Sequence, residues 1–130
     1  MKYLLDTHIV LWLAENSPKL SDKLEAILLD ESNEKYVSIA SCWEVSIKLN
    51  LKKLSLEGGV SEFYRIMREN GFGLLHITPE HLIVLESLAL YHRDPFDRLL
   101  VSTALSDELT LLTADAQLKA YAGENLRIVL

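Results

Sequence analysis

Short apolar runs alternate with helix-like patterns along the whole chain. Mostly apolar runs predict buried strands at residues 3–5, 36–38, 74–77, 109–113 and 127–130. Between these runs, apolar residues recur at helical spacing, as in the four-residue steps of Ile39, Trp43 and Ile47. Strands that alternate with helices pair in parallel through right-handed crossovers. The pattern therefore predicts a three-layer α/β/α fold around a short parallel sheet.

Particular residues mark where the predicted helices begin. Ser21, Thr78 and Asp94 are of the types preferred at helix N-caps. Pro79 and Pro95 follow the last two of them, at the first helical position, where the missing N–H of proline costs nothing. The chain contains no internal repeat and no linker-like segment. We therefore expect one domain over residues 1–130.

Composition narrows the classes of function. Hydrophobic residues make up 49% of the chain and charged residues 25%, which fits a globular domain and excludes wholesale disorder. One cysteine, Cys42, cannot form an internal disulfide. Because we find neither a signal-like segment nor an apolar stretch long enough to span a bilayer, we expect a cytoplasmic protein. The net charge of −6 disfavours a passive nucleic-acid binder, but it suits an enzyme that gathers carboxylates around a metal.

Several carboxylates occupy positions where α/β enzymes place their chemistry. Asp6 follows the first predicted strand and Asp115 follows the fourth, and ligands bind at the carboxyl ends of parallel strands. Asp97 shares a helix face with apolar residues that should face the sheet, and an inward carboxylate needs a cation or hydrogen-bond donors. Each acid alone also has a simpler explanation. Asp6 and Asp115 fit helix N-caps, and Glu44 fits an exposed pair with Lys48 one turn later.

Taken together, the acids predict a metal site. Carboxylates that converge on one pocket repel one another unless a cation neutralises them. All-oxygen ligand sets suit Mg²⁺ or Mn²⁺ and not zinc. Such a metal lowers the pKa of a bound water and neutralises charge on a phosphoryl group, as phosphodiester hydrolysis requires. We predict Asp6 as the central ligand, Asp97 and Asp115 as further ligands, and Glu44 as a ligand or as the group that orients the water.

The same residues resemble the PIN domain family, and most closely the VapC-type toxins of toxin–antitoxin pairs. The matching segments follow one another along nearly the whole chain, at residues 3–8, 41–44, 97–104 and 112–115. The resemblance implies that the four acids form the metal site and that the hydroxyls of Thr7 and Thr113 support it. Asp94 departs from the pattern of many members, because it offers a second acid close to Asp97. We predict that Asp94 caps its helix and that Asp97 binds the metal.

The resemblance also implies an activity and partners. Similar family members are Mg²⁺- or Mn²⁺-dependent endoribonucleases that form homodimers and are blocked by an antitoxin protein. On an acidic protein the RNA substrate needs a local basic rim, for which Lys48, Lys52, Lys53 and Arg98 are the candidates. A solvated helix end would explain the lysines equally well.

The remaining polar and aromatic residues suggest simpler roles. The four histidines lack metal-ligand spacing with Cys42, so we expect them to be structural or at the surface. Trp12 and Trp43 lie at positions that predict packing in the core. The leucines of residues 49–56 alternate with polar residues, and they face the core, a dimer partner or an antitoxin.

Two other classes of function match part of the pattern. A receiver-like or phosphatase-like Mg²⁺ domain would carry a phosphorylated aspartate. The segment around Asp6 lacks the second acid of such domains, and no lysine follows the last strand. A catalytically inactive binding module would have no need for four acids.

Overall fold

Five parallel strands form one sheet in the computed structural model, which describes all 130 residues. The strands are β1 (Lys2–Leu5), β2 (Glu34–Ser38), β3 (Gly73–Leu75), β4 (Thr110–Leu112) and β5 (Ile128–Val129). Their order across the sheet is β3-β2-β1-β4-β5. All five lie where the apolar runs predicted strands, with small shifts at the ends. The predicted three-layer α/β/α fold is confirmed.

Six α-helices and one 3₁₀ helix join and follow the strands. They are α1 (Thr7–Glu15), α2 (Asp22–Leu29), α3 (Ile39–Asn50), α4 (Gly59–Glu69), α5 (Pro79–Glu86), α6 (Pro95–Asp107) and the 3₁₀ helix Ala116–Tyr121. The side chains of Ser21, Thr78 and Asp94 cap α2, α5 and α6, as predicted. None of the helices combines the length and the apolar character needed to cross a membrane.

The side chains of β1 alternate between two cores. Tyr3 and Leu5 pack in the core formed with α1 to α4, which includes the fully buried Phe63. Leu4 packs on the opposite face of the sheet, against Leu100 of α6 and its neighbours. Because helices cover both faces, the strands are apolar on both sides and appear in the sequence as continuous runs.

Helix α3 buries a different face from the one predicted. The sequence pattern placed Trp43 in the core, but its side chain is 60% exposed and meets the ring of Phe96 edge-on at the surface. The small residues Ser41 and Cys42 are buried instead, and they allow α3 to pack closely. Successive residues on a helix lie about 100° apart, so this rotation turns Glu44 inwards. The prediction of a core position for Trp43 was wrong.

The strand order determines where a ligand can bind. The chain runs from the central strand β1 to β2 and β3 on one side, and then to β4 and β5 on the other. In open parallel sheets, ligands bind at the carboxyl ends of the strands beside such a reversal. Asp6 follows β1 at this point and Thr113 follows β4. The backbone N–H of Asp6 donates to the carbonyl oxygen of Leu112 at 2.9 Å, which holds the two strand ends side by side.

Candidate active site

A cleft of about 250 Å³ opens at the carboxyl ends of β1 and β4. Five carboxylates line it, those of Asp6, Glu44, Asp94, Asp97 and Asp115. Lys48 and His8 also line this cleft. The fold thus brings all four acids of the predicted site into one cleft and adds Asp94.

Asp6 does not cap the helix that follows it. It occupies the N-cap position of α1, yet its side chain accepts no hydrogen bond from that helix. Its Oδ2 accepts one from Oγ1 of Thr113 at 2.7 Å. The residue is only 4% exposed, and burial raises the pKa of its carboxyl although the hydrogen bond from Thr113 opposes the rise. The geometry therefore favours the site interpretation of Asp6 over the cap interpretation.

Glu44 is held by donors on both of its oxygens. Oγ1 of Thr7 donates to Oε1 at 2.8 Å, and Nζ of Lys48 donates to Oε2 at 2.7 Å. The pair with Lys48 suggested by the sequence exists, but Glu44 is buried in the cleft and not exposed. The hydrogen bond to Glu44 raises the pKa of the Lys48 ammonium. Each oxygen of Glu44 keeps a free lone pair for a further contact.

Asp94 and Asp97 play different parts, although both border the cleft. The side chain of Asp94 caps α6 by accepting the backbone N–H groups of Phe96 and Asp97 at 2.8 and 3.1 Å. The Asp97 side chain is 17% exposed. Burial raises the pKa of its carboxyl to about 7, and the charges of Asp6 and Asp94 add to the rise. The negative charge of Asp97 is therefore compensated only in part, by the nearby ring of His92.

Asp115 uses its two oxygens for different partners. Oδ1 accepts the backbone N–H of Gln117 at 2.9 Å, so the cap interpretation holds for this residue. Oδ2 lies 3.0 Å from Nε2 of His92. The same nitrogen lies 3.5 Å from Oδ2 of Asp97. One histidine thus bridges two of the acids.

The sequence analysis missed His92, because it assigned all histidines to structural or surface positions. That assignment suits His81, which is fully buried and hydrogen-bonded to Asp107, and it suits the exposed His76. The available signal for His92 was its place two residues before the cap Asp94. Nothing local shows that its ring reaches Asp115, 23 residues further along the chain.

The residues of the cleft fit a divalent cation. Carboxylate oxygens of Asp97 and Asp115 lie within 4.8 Å of each other, and a ring nitrogen of His92 lies within the same distance of both. The raised pKa values of Asp6 and Asp97 show that their carboxylates are destabilised where they lie. A cation would remove that penalty, and carboxylate oxygens are the ligands that Mg²⁺ and Mn²⁺ prefer.

The predicted basic rim is present only in part. Lys48 lies in the cleft and is paired with Glu44, whereas Lys52 and Lys53 are exposed in the turn after α3. Arg98 makes hydrogen bonds within the protein. Its guanidinium donates to the carbonyl oxygens of residues 88, 89 and 92 and to the hydroxyl of Tyr121. These contacts connect Arg98 to the loop between α5 and α6.

The chain is thus a parallel α/β protein with an acidic cleft at the carboxyl ends of its central strands. The sequence pattern of the PIN domain matches residues 3–124. The chain belongs to the PIN domain family, and the predicted resemblance is confirmed. No curated protein matches the sequence at a significant level.

Solved structures share the fold over almost the whole chain. VapBC2 from Rickettsia felis, bound to a DNA fragment from its promoter, matches with a TM-score of 0.73 and 18% identity, covering 99% of this chain and 98% of that one. VapBC-1 from nontypeable Haemophilus influenzae matches with a TM-score of 0.72 and 19% identity over 99% and 97%. A toxin–antitoxin complex from Klebsiella pneumoniae matches with a TM-score of 0.64 and 20% identity over 98% and 96%.

Proposed function

We propose that this protein is a Mg²⁺- or Mn²⁺-dependent endoribonuclease and the toxin of a toxin–antitoxin pair. The observation that carries the proposal is the convergence of five carboxylates on one cleft, two of them with raised pKa values. Membership of the PIN domain family supports nuclease activity. The toxin role draws support from structural neighbours that are described as VapBC and toxin–antitoxin complexes.

The side chains of the cleft divide the work of phosphodiester hydrolysis. A bound divalent cation supplies Lewis acidity, which neutralises charge on the phosphodiester and makes water a better nucleophile near neutral pH. Asp6 and Asp97 are best suited to hold it, because their carboxylates are buried with little compensation. Thr113 fixes the orientation of Asp6 through its hydroxyl. Glu44, held by Thr7 and Lys48, is oriented to accept a proton or to position water.

Charge explains why the cation is needed for substrate binding as well. A phosphodiester is anionic and the cleft is acidic, so the two would repel each other unless a bound cation neutralised the carboxylates. Lys52 and Lys53 remain free to contact the RNA backbone beyond the cleft. We propose this lysine pair as the basic rim, with Lys48 at its inner end.

We expect the purified protein to cleave RNA in Mg²⁺ or Mn²⁺ and to lose that activity in EDTA. The reason is that the cleft is lined mostly by carboxylates, and its lysine, Lys48, is already paired with Glu44. Neutralising the charge of the substrate therefore requires a bound cation. Denaturing gels of a labelled cellular RNA mixture measure the cleavage. Adding excess Mn²⁺ back to the EDTA sample should restore it. Persistent cleavage in EDTA would contradict the proposal.

We also propose a homodimer that binds a small antitoxin protein. Exposed apolar side chains at residues 82–91 supply surface for such contacts, and they include Ile83 at 66% and Leu90 at 70% exposure. The stretch 49–56 contributes less than the sequence suggested. Three of its leucines pack against the core, and only Leu51 is exposed.

Light scattering should show a dimer of the wild type in the micromolar range. The double variant Ile83→Asp/Leu90→Asp should shift the protein to monomer, because each change would bury a charge in an apolar contact. Leu51→Asp is the control, since it places one such charge on an exposed leucine outside that segment. A monomeric wild type would refute the dimer.

A further inference from the structure

We propose that His92 is a positioning residue of the metal site, which donates a hydrogen bond to Asp115, places the same N–H beside Asp97, and does not itself bind the metal. The inference rests on the proposed metal-dependent function. It concerns a residue outside the four acids and two hydroxyls that the family resemblance points to.

The position of the imidazole between two acids is the first observation. Its Nε2 lies 3.0 Å from Oδ2 of Asp115 and 3.5 Å from Oδ2 of Asp97. The two acids come from different elements, since Asp97 lies in the first turn of α6 and Asp115 follows β4. The His92 side chain is only 11% exposed, so water competes little for these contacts. The N–H on Nε2 is hydrogen-bonded to Asp115 and lies within 3.5 Å of the Asp97 oxygen, so one polar group stands between the two carboxylates.

The other ring nitrogen identifies which nitrogen carries the proton. Nδ1 of His92 accepts the backbone N–H of Asp94 at 3.1 Å. A backbone amide can only donate, so Nδ1 presents a lone pair and the ring proton resides on Nε2. A protonated nitrogen has no lone pair for a metal. His92 therefore offers the two acids an N–H donor, and the ligand set of the cleft remains all oxygen.

The loop that carries His92 is anchored to the elements that carry the two acids. The backbone N–H groups of Tyr91 and His92 both donate to the hydroxyl of Tyr121, at 3.1 Å each. That hydroxyl donates in turn to the carbonyl oxygen of Ala89 at 2.7 Å. Arg98 of α6 donates to the carbonyl oxygen of His92 at 3.2 Å. Tyr121 belongs to the 3₁₀ helix that begins directly after Asp115, and Arg98 belongs to the helix that carries Asp97. These contacts therefore fix the imidazole relative to both carboxylates.

A shared donor matters most where like charges meet. Without it, the carboxylates of Asp97 and Asp115 would repel each other and could turn away from a common cation. Hydrogen-bond partners of metal ligands typically contribute 10- to 100-fold in metal affinity or activity, that is, about 1.4 to 2.7 kcal/mol. We expect a loss of that size on removal of the His92 imidazole.

Two substitutions and one control separate positioning from mere filling of space. His92→Phe keeps a ring but removes both nitrogens, and it should weaken Mn²⁺ binding by about 10- to 100-fold. His92→Gln places an amide N–H₂ near the position of Nε2 and should recover most of that loss. His76→Phe is the matched control, because His76 is exposed and does not line the cleft. Titration of free Mn²⁺ by EPR measures the affinities, and melting curves in EDTA verify the fold.

Two spectroscopic measurements report the state of the ring itself. Ring nitrogen chemical shifts from NMR of the metal-free protein should show His92 protonated on Nε2. Pulsed EPR of Mn²⁺ bound to the wild type should show no coupling to a nitrogen of His92. The nitrogen couplings of wild type and His92→Gln should therefore be the same. Because these measurements do not depend on cleavage, and the Gln variant keeps a donor, the inference stays testable even if His92→Phe fails to fold.

The Mn²⁺ affinities and the EPR spectra distinguish failure of the positioning role from failure of the proposed function. Equal Mn²⁺ affinity of His92→Phe and wild type would overturn the positioning role and leave the proposed nuclease function intact. A nitrogen coupling that His92→Gln abolishes would overturn it in favour of direct ligation. If neither the wild type nor His76→Phe binds Mn²⁺, the proposed function fails and this inference fails with it.

Discussion

Replacing Asp6 with asparagine is expected to lower metal-dependent RNA cleavage by roughly 100- to 1,000-fold or more, the loss typical when one electrostatic group of an active site is removed. Asparagine has nearly the same shape, and its Oδ1 can still accept the hydrogen bond from Thr113. The fold should therefore survive. Burial already raises the pKa of the Asp6 carboxyl, so the neutral amide should leave the Tm of the metal-free protein unchanged or higher.

Cleavage rates in Mn²⁺, Mn²⁺ affinity and melting curves in EDTA together test this expectation. Glu15→Gln serves as the control, because it makes the same change of charge on an exposed residue at the end of α1. Loss of Mn²⁺ binding in Asp6→Asn alone would support Asp6 as the central ligand. Full activity of a folded Asp6→Asn variant would remove Asp6 from the mechanism.

A loss of cleavage of similar size is expected for Asp97→Asn, whereas Asp94→Asn should stay active. The two acids lie three positions apart, but only Asp94 uses its carboxylate to cap α6. Asparagine caps about as well as aspartate, so Asp94→Asn keeps the helix start intact. Asp97→Asn removes the negative charge that we assign to metal binding. Parallel cleavage assays of the two variants decide the matter, and an inactive Asp94→Asn beside an active Asp97→Asn would reverse the roles.

Stability gives an independent measure of the Asp97 carboxyl, because its pKa is raised to about 7. Between the ordinary value for aspartate and pH 7, the folded state binds more protons than the unfolded state. The free energy of unfolding of the metal-free protein should therefore fall as pH rises through that window. Asp97→Asn removes this contribution. In EDTA the Tm of Asp97→Asn should match that of the wild type at about pH 4 and exceed it at about pH 8. Mn²⁺ should abolish this gain in Tm, because it stabilises the wild type. If the variant and the wild type had equal Tm values at about pH 4 and also at about pH 8, the Asp97 charge would not be destabilising.

The order and type of the elements follow from the sequence, because the signals that set them are local. Apolar runs bury strands on both faces, and caps at Ser21, Thr78 and Asp94 start helices wherever the chain later packs. The positions of Asp6 and Asp115 behind strands β1 and β4 follow from the same reasoning. The sequence thus predicted the edge of the sheet at which the acidic cleft lies.

Which face of a helix is buried depended on packing and not on pattern. Trp43 and Glu44 are neighbours in the chain, and the apolar one of the pair was the natural choice for the core. The structure buries Glu44 and exposes Trp43, and the small side chains of Ser41 and Cys42 lie on the buried side of α3 with Glu44. Periodicity describes the helix alone, whereas the rotation of α3 depends on the surface it meets.

The roles of individual polar side chains were decided only by the tertiary structure. Taken alone in the sequence, Asp6 also fits an N-cap, and only the family resemblance pointed to the hydroxyl of Thr113, 107 residues away, that donates to its carboxylate. His92 looks like a surface histidine until its loop folds back to Asp115, and Arg98 looks free until that loop surrounds it. A local pattern determines backbone conformation, but the orientation and charge state of a side chain depend on partners that only folding brings within hydrogen-bond distance.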